Sequence, residues 1–140
     1  MLRPGGLPRE QIEAVLGKAL EDMPAGSFDP EAPIAPGMIE SHYAPRARLR
    51  LEVDSVNAGE ALLAFGASLP PGAERAAIVL NLSPSSDLVE AATNLFSDLR
   101  TLDRSDVATI AVMRVPGEGL GEAINDRLAR AAVPRETPVP

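Results

Sequence analysis

A glycine-rich string, GEGLG from Gly117 to Gly121, is the first candidate for chemistry in this sequence. It follows an apolar stretch typical of a strand and opens a stretch of helical periodicity, where a dinucleotide-binding loop would hold pyrophosphate on backbone N–H groups. The third glycine of that pattern would fall at position 122, but Glu122 stands there, and its carboxylate would repel phosphate. The spacing therefore favours a structural tight turn.

Few other side chains are suited to catalysis. His42 is the only histidine, Lys18 is the only lysine, and cysteine is absent, which excludes disulfides, thiolate nucleophiles, zinc fingers and paired-histidine metal sites. No carboxylate motif predicts a metal site. Ser55, Val56 and Asn57 follow Asp54 and are typical of a turn. The net charge of −7 argues against direct binding to nucleic acid, which depends on lysine and arginine.

The segment that contains His42 and Tyr43 is rich in proline, with Pro24, Pro30, Pro33, Pro36 and Pro45. Because proline fixes φ and disfavours helix at the preceding residue, residues 23–47 are predicted to form an extended linker. A plain spacer would gain little from Met38, Ile39 or an aromatic ring. We therefore expect an apolar surface to receive them, and the domain that follows is the nearest one.

Residues 1–22 carry one predicted helix, at about residues 8–21. Its apolar side chains recur with helical spacing on one face, at Ile12, Val15, Leu16, Ala19 and Leu20. A helix of this length is marginal alone. We expect its apolar face to pack either on the domain that follows or on a surface that this chain does not contain.

Residues 48–134 are predicted to fold as an α/β domain, followed by a tail at residues 135–140. Apolar runs at 49–53, 61–66, 76–83 and 109–115 are typical of strands, and helices are predicted at 87–103 and 120–132. A strand, a long helix and another strand indicate a crossover between parallel strands. The prediction is a Rossmann-like three-layer fold with a mainly parallel sheet, and a mixed sheet is left open. The short connection between Val53 and Ala61 allows a hairpin or two strands that are not neighbours.

No segment of the sequence approaches the roughly 20 apolar residues that a membrane-spanning helix needs. The first ten residues, MLRPGGLPRE, lack the apolar stretch of a secretory signal. We therefore expect no membrane partner and a cytoplasmic location.

Four strings of this sequence resemble one family. LRPGGLPREQIEAVLG resembles the end of the last strand and the closing helix of the catalytic domain of long-form threonylcarbamoyl-AMP synthases, and PGMIESHYAP resembles their linker motif. NLSPSSDLVEAATNLFSDLRTLD and VPGEGLGEAINDRLARAA resemble two blocks of their accessory C-terminal domain. The resemblance implies that residues 1–22 are a remnant of the catalytic domain and that 48–134 are the accessory domain.

The resemblance also implies a reaction, in which L-threonine, bicarbonate and ATP give threonylcarbamoyl-AMP and pyrophosphate on the way to threonylcarbamoyladenosine in tRNA. ATP is then a substrate of the full-length enzyme, and no tightly bound cofactor is expected in this chain. The expected partner is a catalytic domain, in cis or in trans, through which ATP and L-threonine bind. Without that domain the chain is expected to be inactive. The alternative is a free-standing module that binds a nucleotide or small ligand without catalysis.

Two sets of site residues follow from the same resemblance. Arg3 and Tyr43 match positions that contact the nucleotide, where a guanidinium suits phosphate geometry. His42, Tyr43 and Pro45 match the part of the linker that lies across the mouth of the catalytic pocket. Their implied task is to close the site around ATP or the adenylate and to limit hydrolysis of a reactive mixed anhydride.

Overall fold

The computed structural model describes residues 1–22, residue 24 and residues 45–133. Its four strands are β1 (Arg48–Arg50), β2 (Ala61–Ala64), β3 (Ile78–Asn81) and β4 (Thr109–Val112). The helices are α1 (Arg9–Leu16), α2 (Leu88–Asp103) and α3 (Leu120–Ala132), with a short 3₁₀ helix at Ala73–Arg75. We call residues 1–22 the N-terminal arm and residues 45–133 the α/β domain.

The four strands form one parallel sheet in the order β1-β4-β2-β3. The predicted α/β class with a mainly parallel sheet is confirmed, and every pairing in the described sheet is parallel. β4 lies between β1 and β2, so the short connection after Val53 joins strands that are not neighbours, and the hairpin alternative is wrong. No local pattern in the sequence specifies this order.

Alternating side chains of the central strands build a core on each face of the sheet. Ala61 and Leu63 of β2 face the larger core with α2 and α3, where Leu95, Leu102 and Ile124 are almost completely buried. Leu62 and Ala64 face the smaller core, which is covered by Val53, Val56, Ala73 and Ala76. One face of the sheet therefore carries the two long helices, and the other carries irregular chain with the 3₁₀ helix.

Helix α1 is shorter than its apolar pattern predicts. It ends at Leu16 because Gly17 takes a left-handed conformation, with φ of 66°, and donates its N–H to the carbonyl of Glu13. A residue without a side chain adopts this conformation at little cost, and it ends the helix. Ala19 and Leu20, predicted as helical, lie beyond that end.

Candidate functional site

The loops that follow β3 and β4 lie side by side at the carboxyl edge of the sheet, where open parallel sheets commonly bind ligands. A side chain at Gly121 would lie 3.6 Å from Leu88, the first residue of α2, so the first turns of α2 and α3 are neighbours. These two helix starts are the positions at which an anion would be held.

The start of α2 already holds a carboxylate. Asp87 caps the helix, and its side chain accepts hydrogen bonds from the backbone N–H groups of Val89 at 2.7 Å and Glu90 at 3.1 Å. Ser83 is completely buried, and its hydroxyl accepts the N–H of Asp87 at 2.8 Å and donates to the carboxylate of Glu90. The polar groups of this loop therefore bond to one another and to the start of α2.

The start of α3 holds a second carboxylate, which comes from the N-terminal arm. Glu10 Oε1 accepts the backbone N–H of Gly119 at 3.3 Å, and its own backbone N–H and that of Gly119 lower the pKa of Glu10. Gly119 has φ of 55°, and a Cβ at Gly121 would lie 1.8 Å from the carbonyl oxygen of Pro116. The glycines of GEGLG thus serve a tight turn with close backbone packing, as the spacing predicted.

An arginine of the arm joins it to the first turn of α3. Arg9 Nη2 lies 3.0 Å from Glu122 Oε1 and also pairs with Asp22, while Arg9 Nη1 donates to the carbonyl of Leu20 at 3.1 Å. The hydrogen bond from Arg9 to Glu122 is the main reason that the pKa of Arg9 is raised, and the hydrogen bond to Asp22 adds to it. In turn, the hydrogen bond from Arg9 lowers the pKa of Asp22. This cluster folds the end of the arm back onto α3.

Arg3, the predicted nucleotide contact, lies in a second ionic cluster on α3. Its Nη2 is 3.4 Å from Asp126 Oδ2, and the same carboxylate oxygen lies 3.0 Å from Arg130 Nε. The side chain of Arg3 is 25% exposed. The sequence does not predict that the arm binds this face of α3, because residues more than 100 positions apart carry no local signal.

Most of the apolar face of α1 is not covered by the α/β domain. No residue of α1 is buried, Val15 is 87% exposed and Leu16 is 51% exposed. Leu7, just before the helix, is also exposed. Ile12 and Leu20 are half-buried, so the following domain leaves most but not all of this face uncovered.

A groove of about 310 Å³ runs between α2 and α3 and is closed at one side by Gly5 and Gly6 of the arm. Val89 and Ala92 line it from α2, and Ala123 and Arg127 line it from α3. The guanidinium of Arg127 lies 4.8 Å from the centre of the Phe96 ring, a cation–π contact at the surface. Neither Phe96 nor Arg127 stood out in the sequence.

The linker residues His42 and Tyr43 lie outside the described residues. Pro45 is described and half-buried, and the two residues after it are fixed, since the N–H groups of Arg46 and Ala47 donate to Asp103 Oδ1 at 2.5 and 3.0 Å. Within the described ranges, no three side chains of His, Cys, Asp or Glu form a group that could hold a metal ion. No helix there is long and apolar enough to cross a membrane.

Comparison with known proteins places this geometry in a family. The profile described as threonylcarbamoyl-AMP synthase, C-terminal domain, matches residues 7–133. The chain belongs to this family. Among curated members, it is similar to the threonylcarbamoyl-AMP synthases of Bacillus subtilis, at 34% identity, and Pyrococcus abyssi, at 32% identity. Each comparison covers 94% of this chain but only 41% and 42% of those enzymes, so the chain spans about two fifths of their length.

Solved structures of threonylcarbamoyl-AMP synthases are similar to this chain as well. The crystal structure of P. abyssi Sua5 complexed with L-threonine has a TM-score of 0.72 at 30% identity, over 94% of this chain and 41% of that one. A variant of the same protein, in which a histidine and the tyrosine that follows it are replaced by alanine, has a TM-score of 0.70 at 28% identity, over 94% and 40% of the two chains. The predicted family and fold are thereby confirmed.

Proposed function

We propose that this chain is the linker and accessory portion of a threonylcarbamoyl-AMP synthase and serves the synthesis of threonylcarbamoyladenosine in tRNA. The reaction joins L-threonine and bicarbonate to the AMP part of ATP and releases pyrophosphate. A catalytic region, in the same polypeptide or in a separate one, carries out the chemistry and binds ATP and L-threonine. The accessory domain positions the linker over that catalytic pocket. The family match and the L-threonine complex of a relative support this assignment.

The exposed apolar face of α1 is the observation that carries the proposal. Val15 and Leu16 expose apolar side chains on a helix of only eight residues, which is marginal by itself in water. The relatives are more than twice as long as this chain and contain a region that it does not match. In our proposal, that region packs on α1.

The site residues proposed for this role are Arg3, His42, Tyr43 and Pro45. Arg3 would contact the nucleotide, as would Tyr43, and the His42-Tyr43 pair would exclude water from the mixed anhydride. The hydrogen bonds of Arg46 and Ala47 to Asp103 support a positioning role, because they fix the linker directly after Pro45. The histidine–tyrosine replacement made in P. abyssi Sua5 concerns a pair of the same two residue types.

The alternative, a free-standing nucleotide-binding module, has less support from the geometry. The two helix starts that would hold phosphate are occupied by the carboxylates of Asp87 and Glu10. A phosphate would have to displace a carboxylate that already compensates the partial positive charge at each helix start. We therefore assign nucleotide binding to the catalytic region.

A chimera tests the proposal. The C-terminal two fifths of the B. subtilis enzyme are replaced by this chain, and threonylcarbamoyl-AMP formation is measured beside the truncated and the intact enzyme. We expect the chimera to be active well above the truncated form, and Val15→Asp to lower its activity about tenfold or more, since a charge would enter the interface.

The matched control is Gln11→Asp, which places the same charge on an exposed position of α1. Its activity should stay close to that of the unsubstituted chimera. A chimera that is no more active than the truncated enzyme, although circular dichroism shows this part to be folded, contradicts the proposal. An equal loss of activity in the Val15→Asp and Gln11→Asp chimeras would also contradict it.

A further inference from the structure

Arg9 connects three parts of the molecule. It is the first residue of α1, its guanidinium lies 3.0 Å from Glu122 in the first turn of α3, and it also binds Asp22 and the carbonyl of Leu20 near the end of the arm. The side chain is only 20% exposed, so water competes little for these contacts. A guanidinium can hold several oxygens at once, because its five N–H groups point in fixed directions.

The chain that follows α1 turns back toward Arg9. Gly17 ends the helix in a left-handed conformation, and the N–H of Leu20 then donates to Glu13 Oε1 at 2.8 Å. Leu20 and Asp22 thereby reach Arg9, which lies at the other end of α1. We call residues 20–22 the linker exit, and it lies beside the start of α3.

Glu10 makes a second attachment at the same place. Its carboxylate accepts the N–H of Gly119 at the start of α3 and its own backbone N–H at the start of α1. Two helix starts carry partial positive charges that repel each other, and a carboxylate between them offsets both. Together with the bond from Arg9 to Glu122, this gives the first turn of α1 two neighbouring attachments to α3.

These attachments act on both parts of the arm that the proposed function requires. Val15 and Leu16, which we propose to contact the catalytic region, lie within about two turns of Arg9 on the same helix. The direction of their exposed face therefore follows from the way in which the first turn of α1 is held. The linker exit is held by the same guanidinium, through Asp22.

We propose that Arg9 is a positioning residue of the synthase, which sets the direction of α1 and of the linker exit on the α/β domain and so aligns the catalytic region with the linker. The proposal deepens the proposed function and rests on it for the effect on the reaction. Arg9 acts through Glu122 and Asp22 and needs no contact with a substrate.

Spin labels on the whole chain test the positioning itself, since the chain contains no cysteine. Ala14→Cys on α1 and Thr101→Cys on α2, both exposed, carry nitroxides, and the distances between them are measured by double electron–electron resonance. We expect one main distance, whose distribution Arg9→Gln broadens about twofold or more. Arg9→Lys should broaden it less, because lysine keeps the charge but not the planar fork. Equal widths in the Arg9→Gln and unsubstituted chains overturn the proposal.

Two controls accompany this measurement. Arg75→Gln removes an arginine from an exposed ion pair with Glu74 and should leave the distribution unchanged. Labels at Ala58→Cys and Thr101→Cys, both exposed in the α/β domain, should give the same distances with and without Arg9→Gln. Broadening of both label pairs would show a general loss of structure and also overturns the proposal.

The effect on the reaction is tested in the chimera described above, by measuring the AMP formed per pyrophosphate released. A displaced linker admits water, which hydrolyses the mixed anhydride of threonylcarbamoyl-AMP to AMP, so Arg9→Gln should raise this ratio severalfold. A chimera that is merely less stable would lose pyrophosphate and AMP in proportion. Asp22→Asn and Glu122→Gln should also raise the ratio, and either should add little to Arg9→Gln, because each lost contact involves Arg9.

The two proposals fail in different ways. An inactive chimera contradicts the proposed function, and the spin-label distances still decide whether Arg9 sets the direction of α1. An active chimera in which Arg9→Gln leaves the ratio of AMP to pyrophosphate unchanged supports the proposed function and overturns the positioning role.

Discussion

The N-terminal arm and the α/β domain are held in place by different forces. In the α/β domain, all four residues of β2 are buried and the sheet has a core on each face. In the arm, α1 has no buried residue, and the contacts with α3 are ion pairs and hydrogen bonds of Arg3, Arg9 and Glu10. Burial supplies most folding free energy, whereas exposed ion pairs each contribute at most about 1 kcal/mol. The domain should therefore fold independently, and the arm should detach easily.

The largest effect that follows from this comparison is on the core. Leu63 is completely buried in β2, so Leu63→Ala should lower the free energy of unfolding by about 2–5 kcal/mol, through lost burial and the cavity that remains. Val15→Ala on α1 should change it by no more than about 0.5 kcal/mol. Urea unfolding followed by circular dichroism measures both. Equal losses would show that the arm is part of the cooperative core.

An intermediate effect is expected at a carboxylate inside the α/β domain. Glu60 accepts hydrogen bonds from Arg50, at 2.6 Å, and from the backbone of Asn57, at 2.9 Å. The hydrogen bond from Arg50 is the main reason that the pKa of Glu60 is lowered to about 2 from its ordinary value of 4.5. Because the folded pKa lies below the unfolded one, its contribution to stability is complete above about pH 4.5 and is lost as the pH falls toward 2.

Glu60→Gln should accordingly lower the free energy of unfolding at pH 7 by about 1.5–3 kcal/mol and should flatten its decline between pH 4.5 and 2. Urea unfolding across that range measures the effect. Glu74→Gln, at an exposed ion pair with the adjacent Arg75, is the control and should do neither. If the free energy of unfolding of Glu60→Gln declines between pH 4.5 and 2 as it does in the unsubstituted chain, Glu60 is not the source of that decline.

The smallest effect on stability, and the most local one, is expected at the contact between the arm and α3. Glu122→Gln removes the charge that holds Arg9, so the global free energy of unfolding should change by less than about 1 kcal/mol. Amide hydrogen exchange in residues 9–22 should become faster, and high salt should do the same to the unsubstituted chain. Glu118→Gln, a nearby exposed carboxylate, should have no such effect. Unchanged exchange in Glu122→Gln would show that the arm is held by other contacts.

The sequence was sufficient to predict the elements that depend on local signals. Helix α2 begins where Asp87 caps it, and GEGLG forms a tight turn because Glu122 stands where a phosphate loop would need glycine. The position of β4 between β1 and β2 could not be predicted, since strand order depends on long-range pairing that no local pattern specifies. The ion pairs of Arg3 and Arg9 join residues more than 100 positions apart, and the contact of Phe96 with Arg127 depends on how two helices pack.

The carboxylates at the two helix starts have a consequence for the behaviour of the accessory domain in solution. A protein that binds a phosphate ligand only when folded gains stability by mass action as the ligand concentration rises. Here Asp87 and Glu10 take the place of such a ligand, and they are part of the polypeptide at a fixed ratio of one to one. The thermal stability of the isolated chain should therefore be insensitive to the supply of ATP, whether nucleotide is abundant or scarce.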